Sequence, residues 1–231
     1  MKICIFTDIH ANLDALSKLM DTNDFKNSDV KICLGDAVVM GPFPNECCKA
    51  LLDNNCIWLM GNHDSYIANG LPEEEYKYFK QDKIDHQNYM REVVEDKYKQ
   101  IMKNLPKEYV INAGDKKLYF THYMWETWNN VIDNPETPTA ENISDIFKEV
   151  EADYIFYGHE HHASHFKRDN KELVCVGSLG MVYPGHYTIV DIVGNNIQIS
   201  HKTISFDLEK YKQDILSANY PRAEKYVKFF K

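Results

Sequence analysis

The sequence predicts an α/β fold that is built on a mixed β-sheet. Six short runs are mostly apolar, rich in β-branched and aromatic residues and bounded by polar residues or Gly, which is typical of buried strands. Helical patterns lie between several of these runs, and this alternation favours buried parallel strands. Two hairpin patterns add antiparallel strands. The six runs are residues 3–6, 30–34, 57–60, 118–120, 154–157 and 173–176.

The helical patterns have their own start signals. Residues 12–23 carry apolar side chains at helical spacing, residues 44–53 open with a Pro suited to a first helical turn, and residues 139–150 open with a capping Thr. The predicted hairpins pair residues 109–112 with 117–121, and residues 187–193 with 197–200, each around a Gly-containing turn.

The remaining segments are charged and poor in strand patterns. Residues 71–105 predict two inserted helices, which either cap the functional site or form a solvated helical hairpin. Residues 207–231 predict a partly helical tail. The 231 residues suit one domain, 1–231, that includes both segments.

Charge and cysteine usage narrow the class of protein. A net charge of −9 argues against nonspecific binding to nucleic acid, although bound cations would still allow a small phosphorylated substrate. The six Cys include no CxxC pair, which favours a reducing cytoplasm. The N-terminal apolar run is too short for a signal peptide, and no run approaches the length of a membrane span. We therefore expect a cytoplasmic protein without a membrane partner.

Metal-type side chains follow the first five apolar runs directly. Because ligands of open α/β sheets bind at the carboxyl ends of strands, we expect these side chains to share one site. The donors are nitrogen and oxygen, which suits Mn, Fe, Zn, Ni or Co, and seven candidates are too many for one ion with an open position. Two ions that share a carboxylate fit better. The seven candidates are Asp8, His10, Asp36, Asn62, His122, His159 and His161.

The order of these residues resembles the motif series of the calcineurin-like metallophosphoesterase superfamily. The series runs from Asp8-x-His10 through Gly35-Asp36, Gly61-Asn62-His63-Asp64 and His122 to Gly158-His159-x-His161, over roughly the first 180 residues. The stretches "FTDIHANLDAL" and "LGDAVVMGPFPNE" are similar to compact bacterial and archaeal phosphoesterases, some of them diadenosine-tetraphosphatase-like. The resemblance implies a four-layer αββα sandwich with the site at one edge of the sheets.

The resemblance also implies the role of each residue. Asp36 would bridge two divalent ions, Mn first and Fe, Zn, Ni, Co or Mg as alternatives, and a hydroxide between them would attack phosphorus in line. His63 would bind a phosphate oxygen and protonate the leaving group, with Asp64 orienting its ring. Asp64 could instead cap the next helix. The implied ligands are Asp8, His10 and His161 for one ion, and Asn62, His122 and His159 for the other.

Some positions depart from the family pattern. Ala11 stands where the family usually has Gly, although Ala resists a positive φ. The later loop is Cys175-Val176-Gly177-Ser178 rather than Asn-Pro-Gly-Ser, so we expect its turn to be kept. Outside the motifs, Lys167 and Arg168 could meet a phosphate, although we expect them to lie in a solvated turn. We expect surface or substrate-edge positions for His162, His165 and His186.

These patterns predict a metal-dependent phosphoesterase of phosphomonoesters, phosphodiesters or nucleotide anhydrides. The alternative is a protein-interaction scaffold that has lost metal chemistry, with residues 71–105 and 207–231 as partner surfaces. The complete ligand set argues against a scaffold. The aromatic stretch at residues 123–130 fits either stacking on a nucleobase or packing of Trp125 and Trp128 under the inserted helices. The substrate, the native metal and the oligomeric state stay open.

Overall fold

A computed structural model describes residues 1–72, 76–77, 79–127 and 131–230. Part of the acidic run at the start of the predicted insertion lies outside these residues, as does Trp128 of the aromatic stretch. The described chain forms two five-stranded sheets with helices on their outer faces. No helix within the described ranges is long and apolar enough to cross a membrane.

The first sheet has the order β10-β9-β1-β2-β3. Its strands β1, β2 and β3 run parallel, whereas β9 is antiparallel to both β1 and β10. The parallel strands come from the predicted apolar runs, and the antiparallel pair is the second predicted hairpin. The strands are β1 (Lys2–Phe6), β2 (Val30–Cys33), β3 (Ile57–Trp58), β9 (Gly185–Val193) and β10 (Asn196–Ile204).

The second sheet has the order β4-β5-β6-β8-β7 and is also mixed. Its central strands β5, β6 and β8 run parallel, and antiparallel strands β4 and β7 form its two edges. The strands are β4 (Glu108–Ala113), β5 (Lys116–Thr121), β6 (Tyr154–Tyr157), β7 (Ser164–Arg168) and β8 (Lys171–Cys175).

The two sheets pack face to face and bury an apolar core between them. Ile3 and Ile5 of β1 and Phe120 of β5 contribute to that core and are fully buried. A second core lies between the first sheet and the larger helical layer, and a third lies against the outer face of the second sheet. The predicted four-layer αββα arrangement of mixed sheets is therefore confirmed.

Most helices cover the first sheet. Helix α7 (Ala140–Ile146) packs on the second sheet, where Ile143 joins the third core. The predicted insertion forms α5 and α6 after a short helix α4. The other helices are α1 (Leu13–Asp21), α2 (Asn23–Lys26), α3 (Pro44–Asp53), α4 (Asn62–Asn69), α5 (Gln81–Val93), α6 (Asp96–Met102), α8 (Leu208–Ser217) and α9 (Ala223–Val227).

The expected turn at Lys167 and Arg168 is wrong, because both residues belong to the edge strand β7. This strand pairs with β8 over its whole length, with Phe166 opposite Leu173. Its side chains alternate between exposed and half-buried positions, and Phe166 is its one large apolar residue. An edge strand of this kind lacks the apolar run that marks buried strands.

The tail holds α5 against the loop that follows β2. His86 of α5 packs its ring between Tyr220 and Tyr226 of the tail, with centroids 5.1 and 4.8 Å away. The Nε2 atom of His86 accepts a hydrogen bond from the backbone N–H of Met40 at 3.1 Å, and the Tyr220 hydroxyl donates to the Met40 carbonyl. The segments without strand patterns are thus joined to a loop of the sheet.

We expect the buried His86 to make the fold sensitive to acid. Burial lowers the pKa of His86 to about 4, so the unfolded chain binds a proton first as the pH falls below about 6.5. Stability should therefore decline between about pH 6.5 and pH 4, by about 3 kcal/mol from this residue. Urea unfolding of the metal-free protein across this range measures the decline.

His86→Gln keeps an acceptor for the Met40 N–H but does not titrate, so its stability should fall less steeply with acid. The same exchange at exposed His162 is the matched control and should leave the wild-type slope unchanged. Equal slopes for wild type and His86→Gln would contradict this assignment.

Candidate metal centre

The polar residues that follow five strands converge at one edge of the two sheets. They come after β1, β2 and β3 in the first sheet and after β5 and β6 in the second. Backbone hydrogen bonds join the loops: the N–H of Asp8 donates to the Gly35 carbonyl at 3.0 Å, and that of Gly158 to the His122 carbonyl at 2.8 Å. The carboxyl ends of parallel strands meet here, as open α/β sheets predict for a binding site.

Asp8, His10 and His161 form the first group of donors. The Nε2 atoms of the two histidines lie 3.1 Å apart, and Oδ1 of Asp8 lies 3.5 Å from His10 Nε2 and 3.2 Å from His161 Nε2. The other carboxylate oxygen of Asp8 accepts hydrogen bonds from the Thr7 hydroxyl and the His159 N–H. One oxygen is therefore anchored, and the other faces the histidines.

Asp36, His122 and His159 form the second group, within which three donor atoms lie within 4.8 Å of one another. Nε2 of His122 lies 3.4 Å from Oδ2 of Asp36 and 3.1 Å from Oδ1 of Asn62, and the rings of His122 and His159 are 5.3 Å apart. Asn62 thus joins the same group. All seven predicted ligands lie in these two groups.

The carboxylate of Asp36 lies between the two groups. Its Oδ2 is 3.4 Å from His122 in the second group and 3.9 Å from His10 in the first. Its Oδ1 accepts the backbone N–H of His63 at 2.8 Å, which fixes the carboxylate plane. This is the position that a carboxylate shared by two ions would need.

The donor spacing fits metal ions. Two donors that bind one ion at about 2.1 Å stand roughly 3.0 to 3.4 Å apart for bond angles of about 90° to 109°, and several spacings in both groups are of this size. Oδ1 of Asp8 is buried without a hydrogen-bond donor among the described residues. The donors are imidazole, carboxylate and amide groups, as borderline and hard divalent ions prefer.

The backbone is strained at the ligands themselves. Five of the seven have a positive φ, which L-residues rarely adopt, and we read this as strain held for the site by surrounding structure. Ala11 also has a positive φ, of 55°, so the turn that Gly usually serves is kept here by Ala. The five are Asp8 (52°), His10 (49°), Asp36 (54°), His159 (68°) and His161 (63°).

Protonation states mostly suit ligands. Burial alone would raise the pKa of Asp8, but His161 and His10 hold it well below its usual range. Burial lowers the pKa of His159 to about 3, so this imidazole is neutral. Burial acts the same way on His122, but the charge of Asp36 outweighs it and raises the pKa to about 9. A metal ion bound there would displace a proton from this ring.

The motif Gly61-Asn62-His63-Asp64 forms the N-terminal end of helix α4. Gly61 precedes the helix, where a Cβ atom would lie 2.2 Å from Oδ1 of Asp36, so no other residue fits beside that carboxylate. Oδ2 of Asp64 accepts the N–H groups of Gly61 and Asp36 and the indole N–H of Trp58, and Oδ1 accepts that of Ala37. Both carboxylate oxygens are therefore occupied by N–H donors.

The resemblance implies that Asp64 orients the ring of His63, but the structure pairs the Asp64 oxygens with N–H groups, among them that of Gly61 at the start of helix α4. The ring nitrogen Nδ1 of His63 instead pairs with Nε2 of Gln87, 2.7 Å away on helix α5. Burial lowers the pKa of His63 well below its usual range. The ring lies edge-on to that of His10, with centroids 5.4 Å apart, so it borders the first donor group.

The departures from the motif pattern keep the turn beside the site and its hydrogen bond to the Asp8 backbone. Gly177 has a φ of 78°, and the Ser178 hydroxyl donates to the Asp8 carbonyl at 2.7 Å, so the expected turn is present. Cys175 donates its S–H to the Gly158 carbonyl, and burial raises its thiol pKa well above the usual range. All six cysteines are free, and five are buried. His165 pairs with Glu172 on the sheet edge, outside both donor groups.

Comparisons with known proteins agree with this architecture. A family model for the calcineurin-like phosphoesterase superfamily domain matches residues 1–214. An uncharacterized protein of Methanocaldococcus jannaschii is 28% identical over 246 residues, which cover 95% of this chain and 93% of that protein.

Two solved structures share the fold over nearly the whole chain. A metallophosphoesterase from Sphaerobacter thermophilus superposes with a TM-score of 0.74 at 20% identity, covering 98% of this chain and 97% of that one. A hypothetical protein from Pyrococcus horikoshii superposes with a TM-score of 0.83 at 17% identity, covering 98% of this chain and 96% of that one.

Proposed function

Because the chain belongs to the calcineurin-like phosphoesterase superfamily and is therefore a phosphoester hydrolase, we propose that it uses two divalent cations to hydrolyse small phosphorylated substrates. The candidate substrates are phosphomonoesters, phosphodiesters and nucleotide anhydrides. The single observation that carries the two-metal proposal is the pair of donor groups with the Asp36 carboxylate between them.

The proposed ligands follow the two groups. One carboxylate and two imidazoles would hold the first cation, an amide oxygen and two imidazoles would hold the second, and Asp36 would serve both. When bound, the cations supply a nucleophile at neutral pH and neutralise charge on the phosphate oxygens. The ligands are Asp8, His10 and His161 for the first cation, and Asn62, His122 and His159 for the second.

The protein itself positions the proposed ligand Asp8 and supplies the imidazole of His63 as a hydrogen-bond donor to the substrate. Thr7 and the N–H of His159 orient Asp8 so that one oxygen is left for a cation. His63 borders the first group and keeps 7% of its surface exposed, so its Nε2 edge can meet a substrate oxygen. We assign His63 to bind a phosphate oxygen and to assist departure of the leaving group. The carboxylate of Asp64 accepts the backbone N–H of Asp36 and so helps to hold Asp36 in place.

Manganese is the first choice of metal. The proposed ligands include no sulfur, and Cys175 beside the site keeps its proton, which disfavours a thiolate-bound ion. Carboxylate, amide and imidazole donors suit Mn, and also Fe, Zn, Ni, Co or, less well, Mg. Because affinity order alone does not select the metal in a cell, the assay has to compare several ions.

The proposal is tested with chelator-treated protein, to which single metals are returned. We expect hydrolysis of p-nitrophenyl phosphate or bis-p-nitrophenyl phosphate with Mn²⁺. A panel of nucleoside mono- and diphosphates and dinucleoside polyphosphates then shows which substrate class is hydrolysed best. His63→Ala should lower kcat by about a hundredfold or more on the best substrate. Full activity in His63→Ala, or no hydrolysis with any metal, would contradict the proposal.

A further inference from the structure

Helix α5 buries polar residues on the face that it turns towards the site. Among its inward residues, His86 is fully buried and Gln87 is 4% exposed. Buried polar side chains are uncommon unless they are paired. Each is paired to a segment that carries a site residue: His86 to the Met40 N–H in the loop after β2, and Gln87 to the ring of His63 in the first turn of α4.

Two separate elements fix His63. Its backbone N–H donates to Oδ1 of Asp36, which ties the start of α4 to the shared carboxylate. Its ring is held by Gln87 of helix α5, whose Nε2 lies 2.7 Å from Nδ1 of His63. Without the second contact, the ring would keep its backbone anchor but lose the bond that fixes its rotation about χ2.

We propose that Gln87 is the positioning residue for His63, holding the ring through Nδ1 so that Nε2 faces the substrate. This inference rests on the proposed function. With its amide nitrogen donating to Nδ1, Gln87 selects the ring form that carries its proton on Nε2. The Nε2–H can then donate a hydrogen bond to the leaving oxygen of the substrate, without transfer of the ring proton.

The tail keeps Gln87 in place. Asp82, one turn before His86 on α5, forms ion pairs with Arg222, at 3.5 Å, and with Lys225. The rings of Tyr220 and Tyr226 pack on His86. Rotation of α5 about its axis would break these contacts, so the amide of Gln87 is supported over more than one helical turn.

The test compares leaving groups, because a hydrogen bond from the Nε2–H of His63 matters most when the leaving oxygen is basic. Gln87→Met keeps the length of the side chain but removes the hydrogen bond. We expect kcat on phenyl phosphate to fall by roughly 10- to 100-fold, and on p-nitrophenyl phosphate by only a few-fold, with KM within about twofold. Gln87→Glu, whose carboxylate can only accept from an Nδ1–H, should favour the opposite ring form and should not restore the Nε2–H form.

Gln81→Met is the matched control, because Gln81 lies at the exposed start of the same helix and pairs with Asp85. It should leave both substrates unaffected. A second readout is independent of activity: ¹⁵N shifts of the His63 ring in metal-free protein, assigned by difference with His63→Gln. We expect the Nε2–H form in the wild type and a mixture of ring forms in Gln87→Met.

Equal losses on both leaving groups, or an unchanged ring form in Gln87→Met, would overturn the positioning role. A failure of the proposed function has a different signature: full activity in His63→Ala, or none in the metal-loaded wild type. In either of those cases the ring shifts still decide whether Gln87 pairs with Nδ1.

Discussion

Asp36→Asn should lower kcat by about a thousandfold or more on the best substrate, the largest loss that we expect from any single change. The carboxylate lies within 4 Å of His122 and His10, and so it faces both donor groups. An amide of the same shape carries no negative charge, so it weakens the hold on both cations at once. Steady-state hydrolysis at saturating Mn²⁺ measures the loss.

Asp53→Asn is the control for this variant. Asp53 is an exposed carboxylate at the end of α3 whose partner is Lys49, and the same exchange there should leave kcat unchanged. Circular dichroism and a urea titration check that Asp36→Asn is folded. A folded Asp36→Asn protein with activity within about tenfold of wild type would remove Asp36 from the site.

Asp64→Ala should cost the fold roughly 3 to 5 kcal/mol, the largest stability effect that we expect. Its carboxylate is fully buried and accepts four N–H groups, from Gly61, Asp36, Ala37 and the Trp58 indole. Truncation leaves all four donors without an acceptor in the interior. Urea unfolding of the metal-free protein measures the free energy of unfolding without a contribution from bound ions.

Asp64→Asn should give an intermediate loss, because one amide oxygen can replace one carboxylate oxygen while the amide nitrogen opposes another N–H. Asp53→Ala, at the exposed position on α3, should change stability by less than about 0.5 kcal/mol. A loss below about 1 kcal/mol for Asp64→Ala would show that these four hydrogen bonds do not stabilise the loop after β2 and the start of α4.

Most of the fold could be predicted from the sequence because apolar runs mark buried strands. The runs that become β1, β2, β5, β6 and β8 lie in sheets that other layers cover on both faces, so they are mostly apolar. Strand β7 could not be predicted in this way, because it lies at a sheet edge and has one large apolar residue, Phe166. Helix α4 was not predicted because its first turn contains Asn62 and Asp64, which are typical of turns.

The clustering of the seven candidate ligands could be predicted because they follow strand ends, and the strand ends meet at one edge. The family expectation is confirmed by the match over residues 1–214. Gln87 could not be predicted, since its partner His63 is 24 residues earlier in the chain and no motif connects the two. It lies in a charged helical segment whose packing depends on tertiary contacts with the tail. An inward-facing polar pair, His86 and Gln87, is the signal that a helical projection would have shown.

The most direct test of the central claim is the number and coupling of bound ions. Metal-free protein titrated with Mn²⁺ should bind two ions per chain, and the electron paramagnetic resonance spectrum should show a coupled pair, because we propose that both ions would share Asp36. Asp36→Asn should lose the coupling. One ion or fewer per chain, without hydrolysis of any phosphoester, would contradict the two-metal account and favour a scaffold role for this fold.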